Sequence, residues 1–298
     1  MTISPNPSVA VVGPGAIGTT VAAALHSVGR TPLLCGRSGR DHLELRGAGQ
    51  PIVVPGPVLT DPSQLVETVD LVLLSVKSTQ LEAASPWLAR LCHVDTVVCV
   101  LQNGVEQVES VSPFVPGGAV VPSVVWFPAE PQADGTVWLR GDARLTLPDV
   151  PAARVVEGAL LGSLCTVERV TDFTSVAWRK LLQNAAAGLM VLSGRRSGMF
   201  GRSDIRRLAL DYLAECLEVA RAEGAALGDT VPREIVDGFR ANPVDLGTSI
   251  LVDREAHRPL EWNIRNGVIL RRGREHGLPM PISGVVVPLL AAASDGPG

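Results

Sequence analysis

The chain has 298 residues, of which 46 % are apolar and 19 % are charged. At roughly 150 residues per domain, this length predicts two domains, and the composition excludes a disordered chain. The 26 lysines and arginines against 30 aspartates and glutamates give a net charge of −4, so no nucleic-acid partner is expected. Five scattered cysteines without a C-x-x-C pair, and five histidines without ligand spacing, predict a reducing compartment and no metal site.

The N-terminal stretch carries no charged residue before Arg30. A membrane span needs about 20 continuous apolar residues, but Gly13, Pro14 and Gly15 interrupt this run. We therefore expect a buried strand and helix, no membrane segment and a cytoplasmic protein.

The first half alternates short apolar runs with helical stretches. Strands are predicted at Val9–Val12 and at residues 31–35, 71–76 and 96–101, with a helix at residues 16–28. This alternation is typical of βαβ units and a parallel sheet covered on both faces. Later strands are predicted at residues 119–125, 136–139 and 144–147. Pro122 favours an antiparallel edge for the first of them, and Asp134-Gly135 predicts a turn between the first two.

The second half reads differently, because strand-like runs nearly vanish after residue 170. Helices are predicted at residues 178–192, 204–224, 232–239, 249–257 and 259–276. We therefore predict an α/β domain over residues 1–170 and an all-helical domain over residues 171–298.

A G-x-G-x-x-G motif follows the first predicted strand and opens the first predicted helix, which is the context of a dinucleotide fingerprint. Gly13 permits a tight turn, Gly15 lets a pyrophosphate approach the backbone, and Gly18 lets the helix pack on the strand. The helix N-terminus offers N–H groups and a positive dipole end to phosphates. The alternative is a glycine-rich turn in an unrelated α/β protein. The predicted cofactor-binding residues of this motif are Gly13, Pro14, Gly15, Ala16, Ile17 and Gly18.

The residues that follow the second predicted strand indicate which dinucleotide the protein binds. An NAD site carries an acidic residue about 20 residues after the fingerprint, to bind the ribose 2′-hydroxyl. Here Arg37 and Ser38 come first, and no acid occurs before Asp41. A guanidinium and a hydroxyl suit a 2′-phosphate, so the sequence favours NADPH. The alternative is that Arg37 is an ordinary solvated loop arginine.

Two further strand ends carry polar residues. Lys77 follows the strand at residues 71–76, and Asn103 follows the strand at residues 96–101. Ligands in open α/β sheets bind beyond the carboxyl ends of strands, so both side chains are expected to reach cofactor or substrate. Each taken alone is also compatible with an ordinary turn residue.

The first helix of the second half is mostly apolar but carries a polar stripe. Lys180, Asn184 and Gly188 follow at intervals of four residues and so share one face. A lysine facing a cleft can have a depressed pKa and deliver a proton. The alternative is a lysine at the rim of the core that extends to water.

A second polar group follows further along the chain, with Ser249, Glu261 and Arg265 as its members. Each has a structural alternative to a role in a site. Ser249 can cap a helix, Glu261 can stabilise a first helical turn, and Arg265 can pair with Glu261 four residues away.

With these motifs in order, the chain resembles the ketopantoate reductase (2-dehydropantoate 2-reductase) family over nearly its whole length. The resemblance implies an N-terminal Rossmann dinucleotide-binding domain and a C-terminal all-helical domain. It also implies NADPH-dependent reduction of a 2-oxo acid to a 2-hydroxy acid, 2-dehydropantoate to pantoate in pantothenate biosynthesis, by a homodimer.

The resemblance also implies roles for individual residues. Lys180 would be the general acid that protonates the developing alkoxide, and Glu261 would hold Lys180 and the substrate in place. Asn103, Asn184 and Ser249 would bond the substrate, while Lys77, and again Asn103, match cofactor-contacting positions.

Two positions depart from the family pattern. Gly188 stands where a second asparagine is usual, and Trp262 lies in an altered run beside Glu261. Gly188 predicts a pocket with room for a different group, which leaves the same chemistry on another 2-oxo acid or ketone as an alternative. A third alternative is a non-catalytic NADPH-binding sensor.

Overall fold

The computed structural model describes residues 7–47 and 49–296, so the predicted domain ends at residues 1 and 298 lie outside the described residues. The chain divides into two compact units. The first contains residues up to 102 together with residues 106–173, and the second contains Asn103–Val105 and the residues from Thr174 onward. The boundary predicted at residue 170 lies just before this division.

The first unit contains thirteen described strands and four α-helices. The strands are β1 (Val9–Val12), β2 (Leu33–Cys35), β3 (His42–Arg46), β4 (Ile52–Pro55), β5 (Val58–Leu59), β6 (Leu71–Leu74), β7 (Val97–Val100), β8 (Ala119–Pro122), β9 (Val124–Val125), β10 (Ala129–Pro131), β11 (Val137–Leu139), β12 (Ala143–Pro148) and β13 (Cys165–Val170). The helices are α1 (Ala16–Ser27), α2 (Leu81–Leu91), α3 (Gln107–Val111) and α4 (Ala153–Leu160).

The main sheet has six strands in the order β5-β2-β1-β6-β7-β8, and every neighbouring pair is parallel. Counted along the chain within this sheet, the order is 3-2-1-4-5-6, which is that of a dinucleotide-binding fold. All residues of β1, β6 and β7 are buried, as expected for central strands covered on both faces. The predicted α/β class is confirmed.

Helix α1 is enclosed on nearly all sides. Its residues from Gly18 to Leu25 are all buried, and it contacts β1 and β6 of the main sheet as well as β3, β4, β10 and β11. Three consecutive alanines, Ala22, Ala23 and Ala24, allow this close approach because they add little bulk to the helix.

The later strands differ from the prediction. Residues 119–125 form two strands, because β8 ends at Pro122 and β9 begins at Val124. β8 is an edge strand, as Pro122 indicated, but it runs parallel to β7. β9 instead pairs antiparallel with β12 in a separate three-stranded sheet, β13-β12-β9. The Asp134-Gly135 turn joins β10 to β11, so the predicted strand at residues 136–139 does follow it, but the strand before it is β10 and not residues 119–125.

A four-stranded sheet, β10-β11-β3-β4, was not predicted as such. β3 carries a readable signal, because buried Leu43 and Leu45 alternate with more exposed polar residues. The charged residues on either side of Leu45, Glu44 and Arg46, nevertheless give the segment the composition of a loop.

The described residues of the second unit from Thr174 onward form helices and no strands, which confirms the expected helical C-terminal region. The α-helices here are α5 (Phe173–Ser193), α6 (Ser203–Ala222), α7 (Val231–Ala241), α8 (Ser249–Glu255), α9 (Val268–Glu275) and α10 (Ser283–Asp295). Trp178, Tyr212 and Phe200 are among the buried residues of its apolar core. No helix among the described residues is long and apolar enough to cross a membrane.

Two of its elements correct the prediction. The helix predicted at residues 259–276 starts later, and a π-helical turn, Asn263–Gly267, precedes α9. α10 was not predicted, since Pro279, Pro281 and the internal Pro288 have the sequence character of helix breakers.

Candidate active site

The glycine turn between β1 and α1 is fixed by its surroundings. Gly13 has a φ of +90°, a conformation that favours glycine, and a Cβ there would lie 2.6 Å from Val76 Cγ1. Its N–H donates to the carbonyl of Cys35 at the end of β2 (2.8 Å). A Cβ on Gly18 would overlap the carbonyl of Gly13 and lie 2.5 Å from Ser75 Oγ. Both glycines are therefore required by packing.

Gly15 has the opposite environment. A Cβ there would meet nothing closer than the Gly13 carbonyl at 4.0 Å, and the residue is exposed. α1 starts at the next residue with no side-chain cap and no acidic residue in its first turn. Its first N–H groups are thus open to an anion, and an empty space lies beside them. These features fit a dinucleotide pyrophosphate. Pro14, Ala16 and Ile17 of the same turn are half-buried.

Arg37, Ser38 and Lys77 lie near this turn. Gly36, which precedes Arg37, packs so closely on Pro14 that a Cβ there would be 2.9 Å from Pro14 Cδ. Arg37 and Ser38 are exposed in the loop after β2. Lys77 directly follows Val76, the residue in contact with Gly13. The first unit therefore brings the predicted cofactor residues, apart from Asn103, to one edge of the main sheet.

The second unit contains a group of polar side chains that we call the polar cluster. Hydrogen bonds join five of its members, and the sixth, Lys180, belongs to it through its electrostatic interaction with Arg265; the members are Asn103, Lys180, Asn184, Ser249, Glu261 and Arg265. Asn103 joins it because Asn103–Val105 group with this unit.

A chain of hydrogen bonds links five members of the polar cluster. Asn103 Nδ2 donates to Glu261 Oε2 (3.4 Å), and Asn184 Nδ2 donates to Asn103 Oδ1 (3.3 Å). An Arg265 terminal nitrogen donates to Asn184 Oδ1 (3.2 Å) and to Ser249 Oγ (3.1 Å). The structure therefore brings together the residues predicted to bind substrate and the predicted catalytic Glu261.

Lys180 lies on α5, one turn before Asn184, and is half-buried. Burial, and to a lesser extent the positive charge of Arg265, lower the pKa of its ammonium to about 8. A pKa near neutrality suits a group that must hold a proton and also release it.

Ser249 does not occupy the capping position that was its structural alternative, whereas Glu261 lies directly before a helical turn and keeps the alternative of stabilising a helix start. Ser249 is the first residue of α8, whose cap position is Thr248, and its hydroxyl accepts from Arg265. Glu261 precedes the helical turn that starts beyond it, and it is 9 % exposed. A carboxylate this enclosed is costly unless it has partners, and Asn103 is one of them.

Arg265 is the member that sequence reasoning missed. It was interpreted as a partner of Glu261 on a regular helix, but it lies in the π-helical turn. Its hydrogen bonds go to Asn184 and Ser249, and only 3 % of the residue is exposed. The available signal was an arginine amid apolar residues close to the predicted site, since such residues are rarely buried without a partner.

Gly188 and Trp262 need a correction. Gly188 was expected to leave room for a different group, but a Cβ there would lie 2.8 Å from Asn266 Nδ2 and 3.1 Å from Leu290 Cδ1. Asn266 itself is held by Tyr212, with an Nδ2-to-hydroxyl distance of 2.9 Å. Trp262 packs against the apolar core of the second unit. The space at Gly188 is therefore already filled by the protein.

Metal-binding clusters are absent from the residues that the structure describes, as no three His, Cys, Asp or Glu side chains gather there. The five cysteines are buried free thiols. Burial raises the pKa of Cys35, Cys99 and Cys165 to about 12, which leaves them protonated and unreactive.

Comparison with known proteins places this chain in one family. Residues 9–152 match the family model described as Ketopantoate reductase PanE/ApbA, and residues 172–294 match its C-terminal counterpart. The chain belongs to the ketopantoate reductase family, which confirms the resemblance noted from its motifs.

Individual relatives are similar along their whole length. The 2-dehydropantoate 2-reductase of Mycobacterium tuberculosis is 60 % identical over 97 % of this chain and 99 % of its own. That of Caulobacter vibrioides is 34 % identical over 96 % and 99 %. The structure of a dimeric ketopantoate reductase from Staphylococcus aureus superposes with a TM-score of 0.87 at 28 % identity, covering 98 % of this chain and all of the other.

Proposed function

We propose that this protein is an NADPH-dependent 2-dehydropantoate 2-reductase that converts 2-dehydropantoate to pantoate for pantothenate biosynthesis. The observation that carries the proposal is Lys180, whose pKa is lowered to about 8 in a cluster that also contains Asn184 and Glu261. The 60 % identity to the M. tuberculosis enzyme supports the choice of substrate.

The first unit would hold the cofactor. Pyrophosphate would lie over Gly15 at the start of α1, where the backbone N–H groups are open. Arg37 and Ser38 would bind the 2′-phosphate, because a guanidinium and a hydroxyl both donate to phosphate oxygens. Lys77 would contact the cofactor at the neighbouring strand end. When bound, NADPH supplies the hydride that reaches the ketone carbon.

Lys180 would deliver the proton. As the ketone carbon gains hydrogen, its oxygen gains negative charge, and the ammonium Nζ stabilises that charge and then transfers a proton to it. The products are the 2-hydroxy acid and a neutral lysine amine, which regains its proton from solvent. Lys180 is thus both acid and electrostatic stabiliser.

The remaining members of the polar cluster would hold the substrate. Asn103, Asn184 and Ser249 present amide and hydroxyl groups that can bond its oxygens. Glu261 would orient the amide of Asn103 and supply a negative charge beside the cationic members.

The experiment uses NADPH deuterated at the transferable C4 position together with 2-dehydropantoate. The proposal expects pantoate with one deuterium at C2 and one NADPH consumed for each pantoate formed, measured by mass spectrometry and absorbance. NADPH binding without deuterium transfer to any 2-oxo acid would contradict it.

We also infer a cytoplasmic homodimer. The S. aureus relative is described as dimeric, and the five free thiols suit a reducing compartment. Light scattering of the purified protein would give twice the monomer mass of 31.3 kDa if this inference holds.

A further inference from the structure

Arg265 has an unusual environment for an arginine. Only 3 % of the residue is exposed, and one terminal nitrogen donates both of its hydrogen bonds. Nε and the other terminal nitrogen are fully enclosed and have no hydrogen-bond partner. Guanidinium donors of this kind are normally satisfied, because an enclosed donor that has lost its water and gained no partner destabilises the protein.

Neighbouring charges do not supply the missing partners. Glu261 and Asp253 both favour the charged form of Arg265 through their negative charge. Neither accepts a hydrogen bond from the two unpaired nitrogens. Asp253 instead accepts from Arg258 Nε at 2.9 Å. Nearby negative charges therefore compensate the charge of the guanidinium, but two of its nitrogens still lack a hydrogen-bond acceptor.

The paired nitrogen shows what Arg265 faces. Its two acceptors are Asn184 and Ser249. The proposed function assigns both of these residues to binding the oxygens of the substrate. We propose that Arg265 binds the carboxylate of the 2-oxo acid substrate through its unpaired nitrogens, and so selects 2-oxo acids over neutral ketones. This inference rests on the proposed function and deepens it.

The cluster is bonded loosely enough to admit such a ligand. The four hydrogen bonds among its side chains measure 3.1–3.4 Å, at or beyond the long end of ordinary N–H···O distances. A carboxylate on the two unpaired nitrogens would add charge-assisted bonds, which are shorter and stronger than these four, and would leave the bonds of the paired nitrogen in place. Hydrogen bonds in a site without ligand are often long and tighten once the ligand binds.

The π-helical turn explains how an arginine comes to occupy this place. A π-turn adds a residue to the helical repeat and re-aims the side chains around it. Asn263–Gly267 forms such a turn, and the buried Arg265 lies at its centre. Turns of this kind are common at functional sites.

The test compares an acid with its neutral counterpart. 2-Dehydropantoate and its lactone share a carbon skeleton and a ketone, but only the first has a carboxylate. Binding of each to the full-length protein saturated with NADP⁺ is measured by calorimetry, and kcat and KM are measured with NADPH. The variants are Arg265→Met, Arg265→Lys, and the control Arg271→Met on the exposed face of α9.

We expect Arg265→Met to weaken binding of the acid at least about 10-fold, as fits the loss of a bond between charged groups. Binding of the lactone should change little, and KM for the acid should rise more than kcat falls. Arg265→Lys should be intermediate because it keeps the charge without the fork. Arg271→Met should match the wild type.

Equal losses for the acid and the lactone in Arg265→Met, or no loss for either, would overturn the inference. A wild-type protein that binds 2-oxo acids through Arg265 but does not reduce them would overturn the proposed function alone. The two failures are therefore distinguishable.

Discussion

A lysine that is half-buried on an apolar helix loses part of its hydration, and this loss favours the neutral amine. In Lys180 the effect lowers the pKa to about 8, with Arg265 as the second cause. The ammonium is then still the main form at neutral pH, but it gives up its proton far more readily than a solvated lysine does. Burial thus prepares the side chain for proton transfer before any substrate binds.

The general-acid role gives a prediction for Lys180→Ala. We expect kcat to fall by about 10²–10⁴-fold, the usual contribution of a positioned acid. NADPH affinity should be unchanged, since the proposed cofactor residues other than Asn103 belong to the first unit. A variant that keeps more than a tenth of wild-type kcat would contradict the role.

The lowered pKa gives a second prediction, on pH dependence. The active form is protonated, so kcat should be steady below a pH of about 8 and fall as pH rises through it. The kcat of the wild type is measured between pH 6 and pH 10, a range that brackets the pKa of Lys180. A kcat that rises across pH 8 would assign the reverse role, a base, to the titrating group.

Arg37 carries the prediction on cofactor choice. It is exposed in the loop after β2, where a 2′-phosphate is proposed to bind. Arg37→Ala should raise KM for NADPH by roughly 10- to 100-fold, as fits a lost bond between charged groups, and should leave KM for NADH nearly unchanged. An equal effect on both cofactors would mean that Arg37 does not read the 2′-phosphate.

At the scale of elements, two glycines of the turn between β1 and α1 have different roles. One is required for packing, and the other is proposed to make room for the cofactor. Gly18→Ala should destabilise the first unit, because its Cβ would overlap the Gly13 carbonyl. Gly15→Ala should keep the wild-type Tm, because its Cβ enters open space. That same space is proposed for the pyrophosphate, so Gly15→Ala should lose at least about 10-fold in NADPH affinity. Thermal unfolding and cofactor titration of the pair test this, and an unaltered affinity in Gly15→Ala would contradict it.

Two helical glycines, one on α5 and one on α7, give a matched pair of substitutions. Gly188→Asn should cost about 1–3 kcal/mol of unfolding free energy, because the new side chain would collide with Asn266 and Leu290. Gly238→Asn on α7 is the control, as a Cβ there meets nothing within 4 Å. Urea unfolding compares the two. A fully stable Gly188→Asn protein would restore the interpretation of Gly188 as open space.

The helical elements show how far sequence patterns reach. The polar stripe of Lys180 and Asn184 follows from the 3.6-residue period, and both residues do lie together in the polar cluster. The same period fails at Arg265, because the π-helical turn changes the register that i, i+4 spacing assumes. Gly188 could not be interpreted from sequence either, since its neighbours Asn266 and Leu290 come from distant positions.

At the scale of the whole molecule, the parallel sheet was readable because its central strands are continuous apolar runs between helices. The two smaller sheets were readable only in part, because β11 and β12 match predicted strands but some of their pairing partners are separated from them by other elements. β11, for example, pairs with β3 across about ninety residues. Non-local pairings of this kind leave no local pattern.

The measurement that tests the central claim most directly is kcat/KM for 2-dehydropantoate with NADPH and with NADH, beside a panel of other 2-oxo acids and neutral ketones. The account predicts the highest value for 2-dehydropantoate with NADPH, lower values for other 2-oxo acids, and the lowest for neutral ketones. Equal turnover of acids and ketones, or NADPH binding with no turnover of any 2-oxo acid, would contradict it.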